Sequence, residues 1–199
     1  DTNTGGIGVS HNGNLTNAIT LRKKLVEDGA IFYTTSDTET IVQLIARSKR
    51  VKTIDKIVDA LFQIQGGYSL VMLTQNTLIG VRDPFGIRPL VIGKLNNSYV
   101  FASETCALDI IGTKYIRDVE NGEIVSVQDD KLVSIKPFPA KKVRPCVFEY
   151  IYFSRPDSLL NGKCAYEYRK NFGAELAKES SLKADLVVPV PDSGNAAAI

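Results

Sequence analysis

The chain has 199 residues, 44% hydrophobic and 23% charged, which excludes a disordered tail, a collagen-like fibre and a disulfide scaffold. Lys+Arg 24 against Asp+Glu 22 leaves a net charge of +2, too balanced for a protein that holds nucleic acid on a basic face. The three cysteines, Cys106, Cys146 and Cys164, are odd in number and widely spaced, which points to a reducing compartment and a cytoplasmic protein. The longest uncharged run, Ala60 to Val81, carries Gln63, Gln65, Gly66, Gly67, Gln75 and Asn76, so it reads as helix, turn and strand and no membrane span is expected.

There is no initiator Met and no signal peptide, and Asp1 to Gly6 is loop-like. The last residues, Gly194 to Ile199, stop where a helix would be starting. The chain therefore reads as an internal fragment, in which a site built from distant segments is seen only in part. Ile7 to Ser10 predicts a short strand running into His11-Asn12-Gly13-Asn14. Helices are predicted over Leu15 to Asp28, with Gly29 as a stop, from Ser36 through Ala46, and over Thr53 to Ile64. Strands then follow at Tyr68–Thr74, Thr77–Arg82, Leu90–Leu95 and Tyr99–Ser103. A short helical piece near Ala107–Ile111 precedes Glu123–Gln128 and Lys131–Ile135, which flank Asp129-Asp130 like a hairpin. Helices followed by a run of antiparallel strands predict an α+β layered domain.

Pro137 to Pro145 holds three prolines and reads as a linker, dividing the chain into residues 1–138 and 139–199. Acidic and basic residues balance before Ala140, so the whole excess charge lies in the second piece. That piece reads as a strand-like Cys146–Phe153, a helix from Ala165 to Ser180, and a buried apolar strand at Asp185 to Val190. A helix followed by such a strand is how a parallel α/β domain begins.

Four stretches carry candidate chemistry. His11-Asn12-Gly13-Asn14 is either a type I′ turn or an oxyanion hole, since an Asn amide and a Gly N–H can both aim at a carbonyl oxygen gaining charge. Ser36-Asp37-Thr38-Glu39 has the pattern of a capping box, with Ser36 as N-cap and Glu39 reaching back, and Asp37 could also bind a substrate ammonium. Asp83-Pro84-Phe85-Gly86-Ile87-Arg88-Pro89 is a turn, but a turn requires neither Arg88 nor the Ser103-Glu104-Thr105 that follows. His11, the only histidine, reads as an ordinary loop residue, and without it no Ser-His or Cys-His dyad can be completed.

In this order, His-Asn-Gly-Asn-Leu, Ser-Asp-Thr-Glu, Asp-Pro-Phe-Gly-Ile-Arg-Pro-Leu, Ala-Ser-Glu-Thr-Cys-Ala and Phe-Glu-Tyr-Ile-Tyr-Phe-Ser-Arg-Pro-Asp-Ser resemble the glutamine phosphoribosylpyrophosphate amidotransferase family. The first motifs are shared by class II glutamine amidotransferases; Glu149–Ser158 and Val-Pro-Asp-Ser at 190–193 single out this member. The resemblance implies an N-terminal-nucleophile αββα glutaminase domain, incomplete at its start, followed by the beginning of an α/β phosphoribosyltransferase domain. It implies transfer of glutamine-derived ammonia to phosphoribosylpyrophosphate, giving 5-phosphoribosylamine in the first committed step of purine synthesis. By resemblance, Asn12 and Gly13 form the oxyanion hole, Asp37 binds the glutamine ammonium and Ser193 falls at a Mg²⁺ site. Cys146 matches a [4Fe–4S] ligand of the cluster-bearing branch, the alternative being a small buried hydrophobe; Cys106 and Cys164 read as structural or incidental. The nucleophile is an N-terminal Cys with its own α-amine as base, expected to lie upstream, so these residues alone are expected to be inactive. Purine nucleotides are implied as feedback inhibitors, and a homo-oligomer as the assembly. The competing readings are another class II enzyme, such as a sugar-phosphate aminotransferase, and a non-catalytic purine-nucleotide sensor.

Overall fold

A computed structural model describes residues 5–180 and 182–199. The loop expected over residues 1–4 lies outside them. In chain order the elements begin β1 (Gly8–Leu15), α1 (Ala18–Glu27), α2 (Asp37–Arg47), α3 (Thr53–Leu61), β2 (Gly66–Leu73) and β3 (Leu78–Arg82). There follow β4 (Val91–Leu95), β5 (Ser98–Ala102), α4 (Thr105–Ile110), β6 (Lys114–Asp118), β7 (Ile124–Gln128) and β8 (Lys131–Ile135). A π-helical turn (Glu149–Phe153), a small hairpin of β9 (Leu159–Leu160) and β10 (Lys163–Cys164), α5 (Ala165–Glu179) and α6 (Asn195–Ala198) complete the order.

Two antiparallel sheets stack, one in the order β1-β2-β3-β7-β8 and the other β5-β4-β6. Period-two alternation along β2 builds both of its faces. Tyr68, Leu70 and Met72 join Ile41, Ile45, Ile57 and Leu61 of the helices in one core. Val71, between them, faces the second sheet, where Leu90, Ile92 and Phe101 pack. The outer face of that sheet is covered by α4, whose Leu108 stands 3.0 Å from where a Cβ on Gly93 would be. Helix, sheet, sheet and helix thus form the layered α+β arrangement that the sequence predicts.

Local chemistry accounts for the joints. Asp129 and Asp130 both take positive φ (50° and 58°), which makes the β7–β8 connection the two-residue turn expected of a twisted hairpin. Ser36 caps α2, its hydroxyl accepting from the Thr38 N–H. Glu39 does not complete a capping box. Its carboxylate reaches further back and accepts the N–H groups of Tyr33 and Thr34 and the Thr34 hydroxyl, tying down the loop ahead of the helix.

Several expectations are corrected. The stretch His11-Asn12-Gly13-Asn14 is not a turn, because it lies inside β1, in register with Leu70 through Gly67 of β2. Sequence periodicity also missed β6, where Lys114, Arg117 and Asp118 hide a strand on the edge of the small sheet. Cys146–Phe153 is not a strand; the Ser154 N–H donates to the Glu149 carbonyl, closing a π turn, and α5's buried Arg169 holds the carbonyls of Tyr150 and Ser154. Asp185 to Val190 forms no strand and is not buried: Leu186 is 76% and Val188 76% exposed, with no ladder partner among the described residues.

Pro137 to Pro145 has neither helix nor strand, but it is docked to the layers. The Phe138 ring lies 5.0 Å from that of Phe62, and the N–H groups of Arg144 and Cys146 donate to the carbonyls of Phe85 and Ile87.

The stacking of the two sheets depends on Gly80 of β3, where an added Cβ would lie 2.5 Å from the Phe101 ring. Gly80→Ala should therefore destabilise the fold by about 1–3 kcal/mol, as overpacking of a closed interface does. Urea denaturation measures this as a lower midpoint at unchanged m; an unshifted midpoint would show that the sheets can separate to admit a methyl group.

Candidate active site

Among the described residues β1 lies at the edge of the five-stranded sheet, so alternate N–H groups along it have no strand there to donate to. The Thr16 N–H points inward, to the Gln65 carbonyl next to β2, whereas the Leu15 N–H points outward and donates to Asp37 Oδ2 at 2.9 Å. Period two then turns the Gly13 N–H outward as well. Gly13 is required for a second reason. Its φ is +144° and a Cβ there would stand 2.1 Å from the Gly67 carbonyl oxygen, so no side chain fits.

The Asn12 side chain leaves the opposite face of β1, toward the second sheet. Its Oδ1 accepts two N–H groups from Arg88, from Nε at 3.0 Å and Nη2 at 2.7 Å. Its Nδ2 donates to Ser103 Oγ at 3.1 Å. One Nδ2 hydrogen is thereby used and the other has no acceptor among the described residues. Asn12 Nδ2 and the Gly13 nitrogen thus each keep an N–H with no acceptor among the described residues.

Arg88 is placed by the loop before it. The fully buried Asp83 carboxylate accepts the N–H groups of Phe85, Ile87 and Arg88, and burial raises its pKa against those three donors. The Arg82 guanidinium takes the carbonyls of Gly86 and Arg88, and the Ser69 hydroxyl donates to the Arg88 carbonyl as well. Across from Asn12, Arg88 Nη1 stands 2.8 Å from Glu149 Oε1 off the N–H axis, a charge contact and not an aligned hydrogen bond. The Ser154 hydroxyl donates to the other Glu149 oxygen, and burial raises the pKa of Glu149 against these contacts. Next to Ser103, Glu104 Oε2 accepts the Ser158 hydroxyl and the Arg155 N–H. The motifs singled out in the sequence therefore meet in one network.

Asp37 sits at the first turn of α2 and His11 lies under it. His11 Nδ1 is 3.1 Å from Thr38 Oγ1 and 3.5 Å from Asp37 Oδ1, and its side chain is 3% exposed. It is no loop residue but a buried strand residue, and Nε2 has no partner among the described residues. Sequence reading missed this, and it did not single out Glu149 on its own. Asn12 and Arg88 are 76 positions apart, which leaves no local signal of their contact.

Of the two metal candidates, Cys146 borders this centre and Ser193 is not among its contacts. Ser193 is half-buried in the turn before α6, and Cys146 is half-buried beside Ile87, lining a small cleft of about 60 Å³ with Ser103, Glu104 and Glu149. Among the described residues no three His, Cys, Asp or Glu side chains gather as a metal site.

Burial lowers the pKa of His11 below its ordinary 6.5, with the Asp37 charge opposing the shift. The unfolded chain then binds the proton first as pH falls, so His11's contribution to stability is complete above 6.5 and is lost as pH falls through the lowered folded value. Relative to His11→Asn, the wild-type protein should lose stability on acidification below pH 6.5. Urea midpoints of both proteins across that range check it; parallel curves would mean that the imidazole titrates alike folded and unfolded.

The glutamine amidotransferase domain family matches residues 1–109. The chain is 54% identical to an amidophosphoribosyltransferase of Rhizobium etli over 98% of its own length and 40% of that protein's. It is 50% identical to a chloroplastic amidophosphoribosyltransferase of Arabidopsis thaliana, over 98% of this chain and 35% of that protein. Among solved structures, glutamine phosphoribosylpyrophosphate amidotransferase of Bacillus subtilis, complexed with ADP and GMP, superimposes with a TM-score of 0.95 at 43% identity. That superposition covers all of this chain and 44% of the other, so the chain spans less than half the length of these relatives. On a match over more than half of its residues, the chain belongs to the glutamine amidotransferase domain family.

Proposed function

We propose that this chain carries most of the glutamine-hydrolysing centre of an amidophosphoribosyltransferase. The observation that carries this is the spacing of two subsites on the open edge of β1. Gly13 N–H and the Leu15 N–H that holds Asp37 are two residues apart, about 7 Å along a strand. An extended glutamine spans about 5–6 Å from its amide carbonyl to its α-ammonium, four single bonds from the carbonyl carbon. With its carbonyl oxygen between Asn12 Nδ2 and the Gly13 N–H, glutamine brings its ammonium to the Asp37 carboxylate.

The chemistry divides in two. A cysteine thiolate attacks the amide carbon, the carbonyl electrons move onto oxygen, and the two N–H donors stabilise the charge that develops there. Collapse of that intermediate expels ammonia, and water releases glutamate. Ammonia then displaces pyrophosphate from phosphoribosylpyrophosphate to give 5-phosphoribosylamine. Identity to amidophosphoribosyltransferases runs over 98% of the chain, past residue 139 as well as before it, and supports this acceptor over a sugar phosphate. A cytoplasmic homo-oligomer inhibited by purine nucleotides completes the proposal. The ADP and GMP bound to the Bacillus relative support the nucleotides.

The boundary between the glutaminase domain and its successor is proposed at residues 138–139. Ser193 offers a hard oxygen suited to Mg²⁺, and Cys146, free of any disulfide, offers a thiolate suited to an iron–sulfur cluster. Each is one ligand of a set, and among the described residues no three His, Cys, Asp or Glu side chains gather to complete one. Bound Mg²⁺ would neutralise the pyrophosphate leaving group.

In the full-length enzyme, Asn12→Ala should lower glutamine-dependent kcat by about 10²–10³, the cost of one oxyanion donor, and leave ammonia-dependent synthesis intact. Equal loss of both activities in a folded variant would contradict the assignment. Asp37→Asn should act mainly on the glutamine KM, since the ammonium contact exists in ground and transition states alike. An unchanged KM would return Asp37 to holding the Leu15 N–H alone.

A further inference from the structure

We propose that Arg88 is a positioning residue for Asn12: its guanidinium fork clamps Oδ1 and so aims the free Nδ2 hydrogen at the oxygen of the reacting carbonyl. The proposal rests on the oxyanion-hole reading of Asn12 given above, and it extends that reading to a residue far away in sequence.

The first support is donor chemistry. Arginine carries N–H donors and no acceptor, so the Asn12 atom it touches must be the carbonyl oxygen. That settles which end of the amide faces Ser103. The second is torsional. The terminal torsion of an Asn side chain is broad and roughly two-fold, so one contact would leave the amide free to swing. Two convergent N–H groups at 3.0 and 2.7 Å, with Ser103 Oγ at 3.1 Å on the nitrogen, fix the amide plane instead. An oxyanion donor is effective only if it needs no reorientation at the moment of reaction.

The third support is how firmly Arg88 itself is held. Asp83, Arg82 and Ser69 fasten its backbone, Glu149 stands beside its charge, and its guanidinium carbon lies 4.9 Å from the centre of the Phe153 ring. A loop that merely joins β3 to β4 requires none of this. Lysine would keep the charge beside Glu149 but not the fork, because an ammonium is a point donor.

The test uses the full-length enzyme with Arg88→Lys, Asn12→Ala and the double variant. R88K should lower glutamine-dependent kcat by at least about tenfold, while the glutamine KM and ammonia-dependent activity change less than about twofold. In the N12A background R88K should add less than about twofold, since the group it positions is gone. Wild-type kcat in R88K beside an impaired N12A, or full additivity in the double variant, would overturn the proposal and leave the oxyanion hole standing. Normal kcat in N12A would overturn both.

Should R88K fail to fold, Asn12→Asp supplies the same test by thermal melting. A carboxylate at residue 12 would pair with the fork, so the Tm of N12D should be no lower than wild type and above that of N12A. A Tm for N12D as low as that of N12A would show that Arg88 does not grip this side chain.

Discussion

A largely buried guanidinium needs acceptors for its N–H groups and a counter-charge beside it, and segments distant in the sequence bring both to Arg88. Asn12 from β1 takes two N–H groups, Glu149 from the π turn stands at the third nitrogen, and Ser103 completes the contacts of the Asn12 amide. Removing one partner of a buried charge pair typically costs about 3–5 kcal/mol, so the arrangement is held as a unit. The π turn that carries Glu149 is in turn gripped by Arg169 of α5. The strand that carries Asn12 and Gly13 and the segment beyond residue 145 are therefore mechanically joined.

An unpaired strand edge invites aggregation, and proteins usually cover or shorten it. Among the described residues β1 has no strand on its outer side. Its outward N–H groups fall every second residue, one fastening Asp37 and the next offering itself at Gly13. Glycine at residue 13 permits φ of +144° and leaves room for the Gly67 carbonyl, where a Cβ would stand 2.1 Å away. Fold and site thus share one cause, the alternation of an antiparallel strand.

Much of this was legible in the sequence, and the failures have physical reasons. Helical spacing located α1 to α3, and turn chemistry located the hairpins, because both are local signals. The β6 strand escaped because an edge strand of a small sheet carries Lys, Arg and Asp in place of an apolar alternation. Cys146–Phe153 looked like a strand because its residues are β-branched and aromatic, but Glu149 had to turn inward to Arg88. Leu186 to Val190 looked like a buried strand because burial was inferred from composition, and no described residue covers it. Asn12 and Gly13 were singled out from residue chemistry and family likeness, whereas the burial of His11 and the grip of Arg88 depend on contacts across 27 and 76 residues.

The central claim is that one edge of β1 receives glutamine, its carbonyl at Asn12 and Gly13 and its ammonium at Asp37. The most direct measurement is a crystal structure of the full-length enzyme alkylated by a glutamine-derived electrophilic ketone. The account predicts that the ketone oxygen lies about 2.7–3.1 Å from both Asn12 Nδ2 and the Gly13 nitrogen, with the ammonium on the Asp37 carboxylate. A ketone oxygen facing other donors, or an ammonium bound away from Asp37, would contradict it.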